Sequence, residues 1–264
     1  MDTIEFGSLY FEDGAWPVGS ICGSGHFSIG DTELSKEIPW IAANGLLFSA
    51  QNICKNIGWK DLEMQNFIVG KKIKIDGLPF KGRIPVISDN CLEDDEWKQL
   101  QEAINSSAES DLHWGNSQFW AQKKDVAGME GRALIGGSHA NYQVSVSSRT
   151  KNSRTSFRPV LEPLRTCRIE TVRQAGGEDV AAIVPGGLIR GKMIDVSDFD
   201  IFLEPNAWTK KIVGMNRWAV KVPDGALAVS KDAILHFFFV RWSRTCLPFR
   251  GARSYLLGSL FLYS

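Results

Sequence analysis

The sequence has no excess of charge of either sign, because its 264 residues include 30 Lys and Arg and 30 Asp and Glu. A dedicated nucleic-acid binder carries a strong basic footprint, so this balance predicts no nucleic-acid partner. The chain also lacks an uncharged apolar run of the roughly eighteen residues that would span a bilayer. Its first residues are acidic where a signal peptide is basic. We therefore expect a soluble protein without a membrane span or a Sec-type signal peptide.

Cysteine is scarce, and the five cysteines lie far apart, at Cys22, Cys54, Cys91, Cys167 and Cys246. They form no Cys-x-x-Cys motif, and neither they nor the four histidines show zinc-binding spacing. The low, odd count argues against a disulfide-stapled secreted module, so we expect free, partly buried thiols and leave a single bridge open. The sequence predicts no metal ion and no other cofactor.

Two segments have the spacing of amphipathic helices. Residues 45–57 are apolar at helical intervals and follow Asn44, a plausible cap. Residues 92–104 begin with carboxylates, which favour a helix N-terminus. This second segment places three apolar residues on one face, namely Trp97, Leu100 and Ile104.

Alternating segments predict strands. Residues 67–75 alternate and are followed by Asp76-Gly77, a hairpin turn pair, before a second extended segment at 78–87. Short apolar stretches between Pro and Gly turns predict a small, mostly β unit from residue 180 onward. Residues 234–264 contain four arginines and no acidic residue. We predict that this segment is a poor core element. It is either a surface-attaching or partner-binding tail, or a segment that was not selected for this fold, such as the product of a shifted reading frame.

The most patterned part of the chain pairs Arg-x-Leu-x-Gly-Gly-Ser, at residues 132–138, with Ser-Phe-Arg-Pro-x-Leu, at residues 156–161. Gly136 and Gly137 permit backbone angles or a close approach that a Cβ would forbid. Residues 157–161 alternate as a half-buried strand does.

Four blocks in this order resemble the formylglycine-generating-enzyme/sulfatase-modifying family. They are RIPVISDNCLEDDEWKQL (83–100), HWGNSQFW (113–120), GRALIGGSH (131–139) and SFRPVL (156–161). The resemblance covers roughly residues 35–164 and implies a variant of the C-type lectin fold, an α+β domain with little regular secondary structure. It also implies that six residues define the fold, namely Trp97, Trp120, Gly136, Gly137, Phe157 and Arg158. Large aromatic side chains supply core volume, and an Arg beside them can satisfy buried carbonyls with its five donors.

This sequence differs from the family's pattern at the positions that carry catalysis and bind metal. Its oxidising members carry two cysteines between the Gly-Gly-Ser block and the closing Phe-Arg, and this chain has none there. The resemblance therefore implies a non-catalytic member without formylglycine-generating activity. The family's calcium site uses an Asn and a Glu; Asn116 remains, but Phe119 stands at the Glu position, so we expect no metal.

Four regions follow from these patterns. They are an N-terminal β-rich extension (1–34), a C-type lectin-like domain (35–165), a small β-rich module (180–233) and an atypical basic and apolar tail (234–264). Homo-oligomerisation through the C-terminal region is one expectation for the module. The family that these blocks resemble includes short bacterial and phage proteins, so the resemblance implies a phage or surface-structure component as a variant of the functional hypothesis.

The first functional hypothesis is a non-enzymatic recognition or structural protein that binds a carbohydrate or protein ligand. Aromatic side chains stack on sugars and peptides, and amides supply directional hydrogen bonds. The predicted contacts are Trp114, Asn116, Gln118, His139, Asn141 and Tyr142.

The second hypothesis is an enzyme of other chemistry that uses carboxylates. The candidates are Asp94, Asp95 and Glu96, and the pair Asp198 and Asp200, which would share one face of a strand. No nucleophile elbow, phosphate loop or His-Glu-x-x-His motif accompanies them, so no catalytic residue is assigned.

Overall fold

The computed structural model of the protein describes residues 3–12, 14–22, 25–88, 93, 95–104, 117–123, 132–137, 142–173, 176–206 and 219–240. Of these residues, 51% are in strands and 11% in helices. The predicted α+β class with little regular secondary structure is therefore wrong, and the protein is mostly β. The strands in this part of the chain form three sheets and are numbered β1 to β21 in chain order.

The first sheet has eight strands, and all its pairings are antiparallel. Its spatial order is β2-β1-β5-β6-β15-β9-β8, with β4 also paired to β1. The strands are β1 (Ile4–Phe11), β2 (Gly14–Trp16), β4 (Phe27–Gly30), β5 (Glu37–Ala43), β6 (Leu46–Ser49), β8 (Lys71–Ile75), β9 (Leu78–Arg83) and β15 (Val160–Pro163).

The second sheet has seven short strands and mixes parallel and antiparallel pairs. Its order is β13-β12-β11-β14-β7-β3, with β10 paired in parallel to β11. The strands are β3 (Ser20–Ile21), β7 (Cys54–Lys55), β10 (Val86–Ile87), β11 (Gln118–Lys123), β12 (Arg132–Gly136), β13 (Gln143–Ser145) and β14 (Thr155–Phe157).

The third sheet is antiparallel throughout, in the order β19-β20-β18-β17-β16-β21. Its strands are β16 (Asp179–Val184), β17 (Gly187–Val196), β18 (Asp200–Pro205), β19 (Ala219–Lys221), β20 (Leu227–Ser230) and β21 (His236–Phe239). Strand β21 lies at the start of residues 234–264, the segment that we predicted to be a poor core element. Its residues Phe237 and Phe238 are buried, so this part of the prediction is wrong.

Two α-helices occur among the described residues, α1 (Trp59–Met64) and α2 (Glu96–Ile104). The helix predicted over residues 92–104 is present but begins at Glu96, and its predicted buried face of Trp97, Leu100 and Ile104 is confirmed. Neither helix is long and apolar enough to cross a membrane.

The helix predicted over residues 45–57 is wrong, because that segment contains β6 and β7. Asn44 and Gly45 have φ angles of 48° and 77°, and they form the two-residue turn that joins β5 to β6. Left-handed angles at both turn positions match the right-handed twist of the flanking strands. The second hairpin was predicted from the same chemistry and is confirmed: Asp76 and Gly77, at 52° and 77°, join β8 to β9.

Aromatic side chains supply much of the core volume. Trp120 is fully buried, its ring lies 5.8 Å from that of Trp59, and its indole Nε1 donates to the Ile57 carbonyl at 2.8 Å. A second buried cluster joins α2 to the second sheet, where the Trp97 and Phe119 rings lie 4.8 Å apart. Trp120 and Phe119 are neighbours in β11 and belong to different buried clusters, so the second sheet packs against an apolar layer on each of its faces.

Candidate functional site

The six predicted contact residues divide into two groups. Trp114, Asn116, His139 and Asn141 lie outside the described residues. Gln118 is the first residue of β11, and Tyr142 directly precedes β13. Of the six, only Gln118 and Tyr142 therefore have positions in the described part of the chain.

Gln118 and Tyr142 are brought together by Gly136, the last residue of β12. Gln118 is the cross-strand partner of Gly136, and its Nε2 donates to the Gly136 carbonyl at 3.4 Å. The Gly136 N–H donates to the Tyr142 carbonyl at 2.9 Å. Tyr142 and Gln118 thus both hydrogen-bond to Gly136 at the end of the second sheet, and we call this pair the Tyr142/Gln118 rim.

The glycines at the end of β12 make this arrangement possible. Gly136 and Gly137 have φ angles of 90° and 107°, which L-residues rarely adopt. A Cβ on Gly137 would lie 3.3 Å from Cγ of Gln118. The expectation that the Gly-Gly pair serves special backbone angles and a close approach is confirmed.

The rim residues differ in exposure, and both offer groups to a ligand. Tyr142 is 40% exposed, so part of its ring is open to solvent. Gln118 is half-buried, and its amide retains an oxygen acceptor beside the nitrogen that contacts Gly136. Aromatic side chains stack on planar or sugar surfaces, and amides orient them through directional hydrogen bonds.

A basic loop connects β13 to β14, and only its end at Arg154 contacts Gln118. We give this name to residues 147–154, in which Arg149, Lys151 and Arg154 are exposed. The Arg154 carbonyl accepts a hydrogen bond from the Gln118 N–H at 2.7 Å, which ties the end of the loop to β11. Lys151 Nζ contacts Asp61 Oδ2 of α1 at 2.9 Å. Sequence reasoning missed this loop, although the absence of acidic residues from 132 to 161 was a visible signal.

The carboxylates proposed for catalysis at α2 have structural contacts. Asp95 caps the helix, because its Oδ1 accepts a hydrogen bond from the Lys98 N–H at 2.9 Å. Glu96 accepts two hydrogen bonds from the Arg83 guanidinium, at 2.7 and 2.5 Å, and a third from the Val86 N–H at 2.8 Å. Asp94 lies outside the described residues.

The second pair of carboxylates does not share one strand face. Asp198 is exposed in the turn between β17 and β18, whereas Asp200 is the first residue of β18. The Asp200 N–H donates to the Ser197 hydroxyl at 2.8 Å, which closes that turn. The predicted common strand face for Asp198 and Asp200 is therefore wrong, since Asp198 lies in the turn and only Asp200 is in β18.

Arg158 occupies a buried structural position. Its Nε donates to the Ser49 carbonyl at 2.8 Å, and one terminal nitrogen donates to the Ala50 carbonyl. The guanidinium lies 5.3 Å from the Trp97 ring centroid and 5.5 Å from that of Phe119. Burial lowers the pKa of Arg158 to about 9, which still leaves it charged at neutral pH. The prediction that this Arg satisfies buried carbonyls is confirmed.

A cavity of about 240 Å³ lies at a different place, where the segment after β15 meets the start of β21. Its lining includes Cys167, Arg168, Glu170 and His236. Burial lowers the pKa of His236 to about 4, so the imidazole is neutral at physiological pH. In the part of the chain that the structure describes, no three His, Cys, Asp or Glu side chains come together as a metal-binding group.

The comparisons with known proteins yield no relative. No family model, no curated protein and no solved structure matches this chain. The resemblance to the formylglycine-generating-enzyme/sulfatase-modifying family therefore stays a prediction.

Proposed function

We propose that this protein is a non-enzymatic recognition protein that binds a carbohydrate ligand at the Tyr142/Gln118 rim. The observation that supports this function is that a partly exposed tyrosine and an anchored amide both hydrogen-bond to Gly136 at the end of the second sheet. Binding residues are commonly carried by loops that a rigid sheet positions. The rim has this form, because it lies where β11, β12 and β13 begin or end.

The surrounding structure favours a preorganised site. The Gln118 backbone is fixed on both sides, since its N–H donates to Arg154 and its carbonyl accepts from the Ser156 hydroxyl at 2.6 Å. Ligand binding to a rigid amide costs little conformational entropy. A protein ligand is the alternative occupant, and a phage or bacterial surface structure is the setting in which we propose that such recognition occurs.

The proposal is tested by glycan-array binding, followed by affinity measurement on the best ligand. We expect Tyr142→Ala to weaken binding about tenfold or more, as truncation of an aromatic anchor does, and Gln118→Ala to weaken it as well. Leu34→Ala is the matched control, because Leu34 is a 64% exposed apolar side chain on the segment between β4 and β5, away from the rim. Melting temperatures of all three variants establish that each is folded.

Two results would count against this function. If no glycan binds, the carbohydrate ligand is wrong, and capture of a protein ligand that depends on Tyr142 would identify the alternative. If a glycan binds equally well to Tyr142→Ala and Gln118→Ala, the rim is not the binding site.

Self-association through the C-terminal region is also proposed. In the third sheet Val220, Ala228 and Phe202 form one cross-strand row. Val220 and the nearby Ile194 and Phe199 are exposed apolar side chains, and exposed apolar groups of this kind favour contacts between proteins.

A further inference from the structure

The cavity beside β21 lies where two segments, 166–170 and 234–237, are joined by a single bridge. The Cys167 N–H donates to the Phe237 carbonyl at 2.8 Å and closes one end of the gap between them. Beyond this bridge the first segment continues into a 3-10 turn (Ile169–Thr171), whose hydrogen bonds are local. An opening of about 240 Å³ therefore remains between the two segments.

Two opposite charges line this cavity. Ile169 is only 8% exposed and belongs to the core of the third sheet, whereas Arg168 and Glu170, on either side of it, are exposed and line the cavity. Among the described residues, no ion pair or side-chain hydrogen bond engages the guanidinium or the carboxylate. The two charged groups thus share one cavity without neutralising each other.

The opposite wall of the cavity is uncharged. Ile234 and Leu235 make part of it aliphatic, and Leu235 is 42% exposed although it is a large apolar side chain. His236 is half-buried, and its lowered pKa of about 4 leaves the imidazole neutral, so it adds no charge. A ligand that covers Leu235 would gain stability by removing apolar surface from water.

We propose that this cavity binds a free α-amino acid with an aliphatic side chain. Its carboxylate binds Arg168, its ammonium group binds Glu170, and its side chain lies against Leu235. A zwitterion neutralises both protein charges at once, whereas a simple anion is repelled by the carboxylate and a simple cation by the guanidinium. A guanidinium also matches the planar, two-oxygen geometry of a carboxylate.

The size and place of the cavity agree with a small ligand and a separate function. Pockets for drug-sized ligands have volumes of about 300–1,000 Å³, and this cavity of about 240 Å³ suits a smaller molecule. It lies beside the third sheet, whereas the Tyr142/Gln118 rim is at the end of the second. Amino-acid binding is therefore independent of carbohydrate recognition at the rim.

Three forms of one ligand test the requirement for both charges. Leucine is compared with N-acetylleucine, which lacks the ammonium group, and with leucinamide, which lacks the carboxylate, in calorimetric titrations of the full-length protein. We expect leucine to bind at least tenfold more tightly than either derivative, because each derivative leaves one charged side chain without a partner. Glycine should bind more weakly than leucine, since it lacks the apolar side chain.

Variants place the ligand in the cavity. We expect Arg168→Gln and Glu170→Gln each to weaken leucine binding about threefold to tenfold, the range for the loss of an exposed charge-assisted contact. Arg168→Gln should not weaken the binding of leucinamide, which has no carboxylate to lose. Arg173→Gln and Glu204→Gln are matched controls, because both residues are exposed and lie outside the cavity lining. Melting temperatures of the four variants check that each is folded.

Three results would overturn the amino-acid site. The first is the absence of leucine binding up to the solubility limit of leucine. The second is a derivative that binds as tightly as leucine, because the ligand would then carry a single charge. The third is leucine binding that both cavity variants leave unchanged, or that the two controls weaken equally, because the ligand would then lie elsewhere. Each of these results leaves glycan binding at the rim unaffected.

Discussion

At the residue scale, buried arginines join parts of the fold that are distant in sequence. Arg83 of β9 holds α2 through Glu96, and Arg158 connects the loop after β6 to the aromatic pair of Trp97 and Phe119. In both cases a planar group with several donors meets several acceptors at once. These contacts connect loops and helices to the sheets without regular secondary structure between them.

Loss of the Glu96 carboxylate should destabilise the protein without affecting ligand binding. The Arg83 and Glu96 side chains are only 10% and 14% exposed, so Glu96→Gln leaves the buried guanidinium with only the more distant and more exposed Glu162, at 3.9 Å, as a counter-charge. We expect the free energy of unfolding in urea to fall by about 2 kcal/mol. Glu102→Gln, on the exposed side of the same helix, should change it by less than about 0.5 kcal/mol.

A catalytic role for Glu96 makes the opposite prediction. Glu96→Gln would then leave the urea midpoint unchanged and abolish a turnover that the wild-type protein shows. Equal stability of the Glu96→Gln and Glu102→Gln variants would therefore contradict the structural assignment.

Roles that depend on the chemistry of a single residue were predictable from the sequence. The donor capacity of Arg158 and the need for Gly136 and Gly137 follow from properties of single residues, and both predictions are confirmed. The partners of Asp61 and Cys22 were not predictable. Lys151 and Cys54 lie 90 and 32 residues away in sequence, and no local pattern indicates which distant side chain the fold brings near.

At the scale of elements, turn chemistry was more informative than apolar spacing. Asp76-Gly77 predicted its hairpin correctly, whereas the equivalent Asn44-Gly45 was interpreted as a helix cap because the following apolar residues had helical intervals. The strands there are short and buried, and a short buried strand has no clear alternation. The α2 helix was predictable because one of its faces is exposed, which gives its sequence an amphipathic period.

The disulfide between Cys22 and Cys54 is the second correction at this scale. It links the residue after β3 to β7, at the edge of the second sheet, and both cysteines are buried. The expectation of free thiols at these two positions is wrong, since the parallel pairing of β3 and β7 brings their Cα atoms to 5.8 Å. Cys167 remains a thiol.

Reduction of this disulfide should destabilise the folded protein. Closing a loop between residues 32 apart in sequence restricts the unfolded chain, which corresponds to about 3.5 kcal/mol in the chain-entropy description. We expect a reductant to lower the urea midpoint of the wild type and to leave that of Cys22→Ala/Cys54→Ala unchanged. Cys167→Ala serves as the control that keeps the response. A wild-type midpoint insensitive to reductant would contradict the bridge.

At the scale of the whole molecule, the third sheet is part of the main core. Ala181, Ile183, Leu188 and Phe238 belong to the same buried cluster as residues of the first sheet. The rings of Phe80 in β9 and Phe238 in β21 lie 5.8 Å apart. The sequence suggested a break near residues 164–179 and a small β unit after it, but composition alone does not reveal that two sheets share one apolar interior.

The role of β21 gives a prediction for the complete fold. Truncation after Lys231 removes a strand that pairs with β16 and two buried side chains, Phe237 and Phe238. Loss of a buried Phe costs about 3–5 kcal/mol, so the two together approach the entire stability of a typical domain, about 5–15 kcal/mol. We expect the 1–231 protein to lose cooperative thermal unfolding, whereas the 1–240 protein keeps it because all described strands are retained. Identical melting curves for 1–231 and 1–240 would mean that β21 contributes nothing to the core, and the shared interior of the first and third sheets would then be wrong.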